Sequence, residues 1–146
     1  LPPGYGITVE DLELAAKRAG AEPGERDVAL IRTGWARNFG DTTAYLGKET
    51  GVPGATPEAA RWLADRKIVA TGADTTAYEQ IPAGAGHAVL PVHRILLVES
   101  GIFIMEHLNL EALAEAGLHE FAFVLAPLRI KGGTGSPVRP LAAVSA

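Results

Sequence analysis

The segment Thr56-Pro-Glu-Ala-Ala-Arg-Trp-Leu-Ala-Asp-Arg66, followed by Lys67-Ile-Val-Ala-Thr-Gly72, predicts a helix that leads directly into a buried strand. Thr56 is a typical N-cap, and Pro57 suits the first helical position. The apolar run after the helix is bounded by turn residues, as buried strands usually are. The earlier run Val28-Ala-Leu-Ile-Arg32 has the same character. Strand, helix and strand therefore alternate, which favours a right-handed crossover and a parallel pair of strands.

The flanking sequence extends this α/β pattern in both directions. Thr8-Val-Glu-Asp11 is a capping box that predicts a helix to about Arg18, before Gly20. Residues 33–55 are rich in glycine and predict a long loop. We expect a single α/β domain over residues 1–146, with a mixed β-sheet and flanking helices. The remaining predicted elements are a hairpin over Pro91–Glu106 with its turn at Glu99-Ser-Gly101, a helix from Asn109 to Ala116 ended by Gly117, and strands at Glu120–Leu125 and Leu141–Val144.

Composition narrows the classes of function. The chain has 146 residues and 47% hydrophobic content, so one core of ordinary size is possible. Its net charge of -4 comes without any block of like charge, which argues against nucleic acid or an anionic membrane as partner. It has no cysteine, so disulfides and thiolate chemistry are excluded. No apolar run reaches the roughly 18 residues of a membrane span, and we expect a cytoplasmic protein with a small-molecule substrate.

His93 and Glu106 are the candidate chemical groups. His93 precedes one apolar run and Glu106 closes the next, so a hairpin would bring them near one another. Imidazole nitrogen and carboxylate oxygen suit zinc, manganese or iron, and catalytic sites combine about three protein ligands with an open water position. Two alternatives stay open at this point. His93 could be a structural or surface histidine, and Glu106 could be a strand-end carboxylate that reaches water or caps the Asn109 helix. The remaining histidines, His87, His107 and His119, are weaker candidates.

Six segments of the chain form an ordered set of motifs: Leu1-Pro-Pro-Gly-Tyr5, Ala29-Leu-Ile-Arg-Thr-Gly-Trp35, Ala70-Thr-Gly-Ala-Asp-Thr75, Pro91-Val-His93, Gly101-Ile-Phe-Ile-Met-Glu106 and Pro127-Leu-Arg-Ile-Lys-Gly-Gly-Thr-Gly-Ser-Pro-Val-Arg-Pro140. In this order they resemble the C-terminal half of the cyclase family of metal-dependent hydrolases, which includes kynurenine formamidase, isatin hydrolase and trans-dienelactone hydrolase. The resemblance implies the C-terminal part of a swivelling β/β/α fold.

The resemblance also implies an activity. Members of the family hydrolyse amides, lactones or cyclic imides with water activated on manganese or zinc. His93 and Glu106 match the later histidine and the carboxylate of the active site, as metal ligands and catalytic groups. Trp35 and Asp74 match segments expected beside the substrate pocket.

The chain departs from the family at its principal metal motif. Nothing in the sequence matches the His-x-Gly-Thr-His-x-Asp stretch of the N-terminal half. The opening Leu1-Pro-Pro-Gly4 resembles a linker inside a longer protein. We therefore expect one of three situations: the C-terminal portion of a hydrolase, a subunit that completes a site with another chain, or a non-catalytic remnant used for binding or assembly. Half of a shared core would expose apolar surface, so we expect a homo-oligomer or a chain that supplies the missing half.

Overall fold

A computed structural model describes residues 1–86 and 89–144. Its strands are β1 (Gly6–Ile7), β2 (Val28–Ile31), β3 (Gly54–Ala55), β4 (Ala70–Ala73), β5 (Phe103–Met105), β6 (Ala122–Val124) and β7 (Leu141–Ala143). Its helices are α1 (Val9–Ala19), α2 (Thr42–Leu46), α3 (Pro57–Asp65), α4 (Pro91–His93, which continues as a π-helix over Arg94–Glu99) and α5 (Glu111–Glu115), with a 3-10 helix at Trp35–Asn38.

The central sheet is parallel and has the order β2-β4-β5. Val28 pairs with Ala70, and Ala70 pairs in turn with Phe103. The predicted parallel pair and the α/β class are thus confirmed. The parallel pair β1-β3 and the antiparallel pair β6-β7 form two further sheets, so the parallel and antiparallel strands that we expected in one mixed sheet lie in separate small sheets.

Local capping signals predicted the first and third helices correctly. At the start of α1, Asp11 N–H donates to Thr8 Oγ1 at 3.2 Å and Thr8 N–H donates to Asp11 Oδ2 at 3.0 Å. Gly20 ends this helix in the left-handed conformation, with φ 68°. The N–H of Ala59 donates to Thr56 Oγ1 at the start of α3. These bonds satisfy backbone groups that have no partner within the helix.

The predicted hairpin at Pro91–Glu106 is wrong. Its first half is helical and its second half is β5, which runs parallel to β4. The apolar residues explain the difference, because Val92, Ile95 and Leu96 are buried whereas Leu97 and Val98 are exposed. That spacing gives one apolar helical face, which packs against α3. The connection from β4 to β5 is therefore a helical crossover between parallel strands.

Two smaller expectations also need correction. Residues 33–55 are not a plain loop, since they hold the 3-10 helix and α2, whose N-cap is Asp41. The helix predicted from Asn109 begins later, at Glu111, although Asn109 Oδ1 does accept the N–H of Glu111 at 3.2 Å. Gly117 follows this helix with φ 64°.

Small residues let the segment after β4 lie close to β3. Ala55 pairs with Glu79 in a parallel bridge, and Val52 pairs with Ile81 in an antiparallel one. A Cβ atom at Gly54 would overlap the carbonyl group of Glu79, so only glycine allows this approach. The close contact fixes the backbone of residue 79 beside the sheet. Within residues 1–86 and 89–144, no helix has the length and apolar character needed to cross a membrane.

Candidate functional site

The candidate site lies where the parallel strands end. Thr33 follows β2, Asp74 follows β4 and Glu106 follows β5, so all three come from the carboxyl edge of the central sheet. In parallel sheets this edge is where ligands usually bind. His93 reaches the same place from α4. The stretch between β4 and α4 supplies the remaining contacts.

The structure brings His93 and Glu106 together and adds a third group that the sequence did not indicate. His93 Nε2 lies 3.3 Å from Glu106 Oε1. On the other side of the ring, His93 Nδ1 lies 2.6 Å from Glu79 Oε2. The imidazole is therefore held between two carboxylates. The Glu79 side chain is only 3% exposed, whereas those of His93 and Glu106 are 23% and 29% exposed.

Both carboxylates are oriented by backbone donors. The N–H of Tyr78 donates to Glu106 Oε1 at 2.9 Å. The N–H groups of Val92 and His93, in the first turn of α4, donate to Glu79 at 3.3 and 3.1 Å. A buried carboxylate needs such donors to offset its lost hydration. Glu79 and the first turn of α4 thus hold each other in place.

The arrangement shifts the acid–base behaviour of the pair. The hydrogen bond to Glu106, and then the one to Glu79, raise the pKa of His93 to about 9 against the partial burial of the ring. Burial pushes the pKa of Glu106 upward, but the hydrogen bonds from His93 and from the Tyr78 N–H outweigh it and leave that pKa below its usual value. At neutral pH the metal-free pair is an imidazolium facing a carboxylate.

Asp74 is a buried anchor at the end of β4. Its carboxylate accepts the N–H of Thr33 at 2.8 Å, the hydroxyl of Thr33 at 2.7 Å and the N–H of Gly34 at 2.8 Å. Trp35 is 5% exposed, and its Nε1–H donates to the Tyr45 carbonyl at 2.8 Å. Asp74 and Trp35 therefore fix the polypeptide that follows β2. Their predicted contact with substrate stays a prediction.

Tyr45 and His107 form an aromatic pair beside the candidate site; sequence reasoning missed Tyr45 and gave His107 only as a weaker candidate. The Tyr45 hydroxyl lies 3.0 Å from His107 Nδ1 and 3.3 Å from the Asp74 carbonyl oxygen. Burial, followed by the charges of Asp74 and Glu106, raises the pKa of Tyr45. Phe39 packs on Tyr45 with ring centroids 4.5 Å apart. His107 has a φ of 57°, uncommon for a residue with a side chain, and its position directly after Glu106 was the available signal.

His93 and Glu106 fit a metal ion as two members of a ligand set. Their donor atoms are of the types that zinc and manganese accept. Each residue is also oriented by a further hydrogen bond, as metal ligands commonly are. In the part of the chain that the structure describes, no three His, Cys, Asp or Glu side chains are grouped to hold an ion. His87, one of the weaker candidates, lies outside the described residues.

The raised pKa of His93 predicts a specific pH dependence for the metal-free protein. Because the pKa in the folded state is about 9 and the ordinary value is 6.5, the ion pair stabilises the fold fully below pH 6.5. This stabilisation is lost as the pH rises through about 9. We expect an NMR titration of His93 to have its midpoint near 9, and Glu106→Gln to lower it. Glu120→Gln, at an exposed position, is the control. A wild-type midpoint near 6.5 would contradict this description of the pair.

Known proteins with a similar sequence share the fold of this chain. The Cyclase family model matches residues 1–80. Isatin hydrolase from Roseibium aggregatum is 34% identical over 141 residues, which cover 94% of this chain and 52% of that protein. A crystal structure of a novel cyclase superposes with a TM-score of 0.85 at 31% identity, over 99% of this chain and 49% of that one.

A second solved structure also superposes on nearly the whole of this chain. An isatin hydrolase bound to the product analogue thioisatinate superposes with a TM-score of 0.77 at 30% identity, over 95% of this chain and 53% of that one. The chain thus spans about half the length of the relatives that it matches. Since the family model covers more than half of its residues and the fold is shared over nearly all of it, this chain belongs to the Cyclase family.

Proposed function

We propose that this chain supplies the C-terminal part of the active site of a metal-dependent hydrolase that acts on amide, lactone or cyclic imide bonds. The observation that carries the proposal is the His93–Glu106 pair at the carboxyl edge of a parallel sheet. Glu79 orients the histidine, and the Tyr78 N–H orients the carboxylate. The isatin hydrolase relative supports the choice of bond, because isatin is a cyclic amide. Isatin is therefore the first substrate to test.

His93 Nε2 and the Glu106 carboxylate are the atoms that would hold the ion. Zinc bonds to nitrogen and oxygen are about 2.0–2.2 Å long, so donors 3.3 Å apart are within reach of one ion. A bound zinc or manganese ion lowers the pKa of a water molecule and polarises a carbonyl group. Catalytic sites use about three protein ligands, so we propose that further ligands come from polypeptide corresponding to the half of the relatives that this chain does not cover.

The chain's own side chains have separate tasks in this proposal. Glu106 would take a proton from the attacking water and pass it to the leaving group, which requires a group within hydrogen-bond reach, whereas His93 uses Nε2 for the ion and Nδ1 for Glu79. Tyr45 and His107 offer a hydroxyl and an imidazole beside the pair for polar atoms of the substrate. Trp35 and Asp74 contribute to the pocket by holding the polypeptide after β2 in position.

Removal of either member of the pair should abolish most of the activity. In the complete protein, His93→Ala and Glu106→Ala should each lower kcat/KM for isatin or another responsive amide or lactone by about 100-fold or more, the scale of a lost acid–base group. Steady-state kinetics measures this effect. Glu99→Gln is the matched control, since Glu99 ends the π-helix that continues from the helical turn bearing His93, and it forms an exposed ion pair with Arg94. Near-native rates in both alanine variants would contradict the proposal and favour a binding or assembly role.

We further propose that the exposed apolar surface of the chain packs against the polypeptide that completes the site. Phe103 and Val98 are 62% and 78% exposed, beside β5 at the edge of the central sheet. Leu128 and Ile130, between β6 and β7, are 59% and 55% exposed. Phe103 lines one surface depression together with Phe123 and Leu125, and contiguous apolar surface of this kind is typical of interaction sites.

The association state tests this partner proposal. Light scattering of the 146-residue chain mixed with the polypeptide matching the other half of its relatives should give a defined complex, and Phe103→Asp should weaken it. Leu14→Asp is the control. Leu14 is also exposed, but it lies on α1, which is distant in sequence from the residues of these surfaces. Self-association of the chain alone, unchanged by the other half, would identify a second copy as the occupant instead. Two separate monomers would contradict the proposal.

A further inference from the structure

The function proposed above assigns no chemical step to Glu79, yet Glu79 is among the most buried charged residues that the structure describes. Its side chain is 3% exposed, and its carboxylate makes three contacts at hydrogen-bond distance. Two come from the N–H groups of Val92 and His93, at 3.3 and 3.1 Å, and the third contact is to His93 Nδ1 at 2.6 Å. Burying a carboxylate this far costs free energy unless hydrogen bonds or an opposite charge compensate for the lost hydration.

One short segment holds both members of the candidate pair. The N–H of Tyr78 donates to Glu106, and the next side chain, Glu79, binds His93. The backbone there is fixed on both sides, because residue 79 pairs with Ala55 and lies against Gly54. Tyr78 is itself anchored by a 2.7 Å hydrogen bond between its hydroxyl and Thr71 Oγ1. The relative position of the imidazole and the Glu106 carboxylate is therefore set by residues 78–79.

The chemistry of Glu79 determines which ring nitrogen carries hydrogen. Ionised carboxylates can only accept hydrogen bonds, and His93 Nδ1 lies closer to Glu79, at 2.6 Å, than Nε2 lies to Glu106, at 3.3 Å, so Nδ1 is the favoured donor of the neutral ring. In the neutral ring the lone pair then belongs to Nε2, which faces Glu106 at 3.3 Å. A lone pair facing a carboxylate calls for a cation between them, either a proton or a metal ion.

We propose that Glu79 is a positioning residue that fixes His93 as the Nδ1–H tautomer and directs the Nε2 lone pair toward Glu106. The inference rests on the proposed function in one respect only, namely that hydrolysis uses this lone pair. The tautomer itself is a property of the folded protein, whether or not the protein hydrolyses anything.

The ¹⁵N NMR spectrum of the His93 imidazole tests the proposal in the complete protein, at a pH above the midpoint of about 9 so that the ring is neutral. The wild type should have a protonated Nδ1 and an unprotonated Nε2. Glu79→Leu keeps a side chain of similar size but removes both carboxylate oxygens, so that Glu106 is the carboxylate left beside the ring. The proton should therefore move to Nε2. Where the protein is active, kcat should fall about 10- to 100-fold with a smaller change in KM, the usual scale for a group that orients a ligand.

Glu99→Leu serves as the control, because it makes the same substitution at an exposed carboxylate, on the helical segment that follows His93. It should change neither the tautomer nor kcat. The Nε2–H tautomer in the wild type would overturn the proposal, even if Glu79→Leu failed to fold. So would a folded Glu79→Leu variant, verified by circular dichroism, that kept the wild-type tautomer. The expected tautomers in a protein that hydrolyses no test substrate would leave this inference intact and remove only the proposed function.

Discussion

The imidazole of His93, held between the buried carboxylate of Glu79 and the more exposed carboxylate of Glu106, is the interaction on which the arrangement of this site depends. Glu79 is also the group that satisfies the first N–H groups of α4. The same carboxylate thus starts the helix and orients the histidine at its beginning. The carboxylate that caps α4 therefore also positions His93 in the site.

The rest of the fold delivers this interaction to one edge of the sheet. β5 brings Glu106 beside the end of β4, and the glycine at position 54 lets the segment bearing Glu79 lie against β3. Asp74 holds the start of the neighbouring segment through its bonds to Thr33 and Gly34. Buried polar groups at this edge are therefore used to fix irregular backbone where helices and strands end.

Local signals predicted the parts of the fold that depend on neighbouring residues. The caps at Thr8 and Thr56 were correct, because a cap involves side chains and N–H groups only a few positions apart. The prediction of a strand at Ile95-Leu-Leu-Val98 is wrong, since a short apolar run has no period that distinguishes a strand from a helix. Its helical form is set by burial against α3 and by Glu79, neither of which is visible locally.

The candidate site was predicted in part for the same reason. The sequence pointed to His93 and Glu106, which the structure places 3.3 Å apart, although through a helix and a strand rather than a hairpin. Glu79 was missed because its contact with His93 spans 14 positions and passes through an irregular segment. The available signal was a single acidic residue among the buried neighbours Tyr78 and Ile81.

Crystals of the complete protein grown with manganese or zinc would test the central claim most directly, by locating the ion from its anomalous scattering. We predict an ion bonded to His93 Nε2 and to the Glu106 carboxylate at about 2.0–2.2 Å, with His93 Nδ1 still donating to Glu79. A fully occupied ion elsewhere, with His93 and Glu106 still bonded to each other, would contradict the assignment of this pair as part of the metal site.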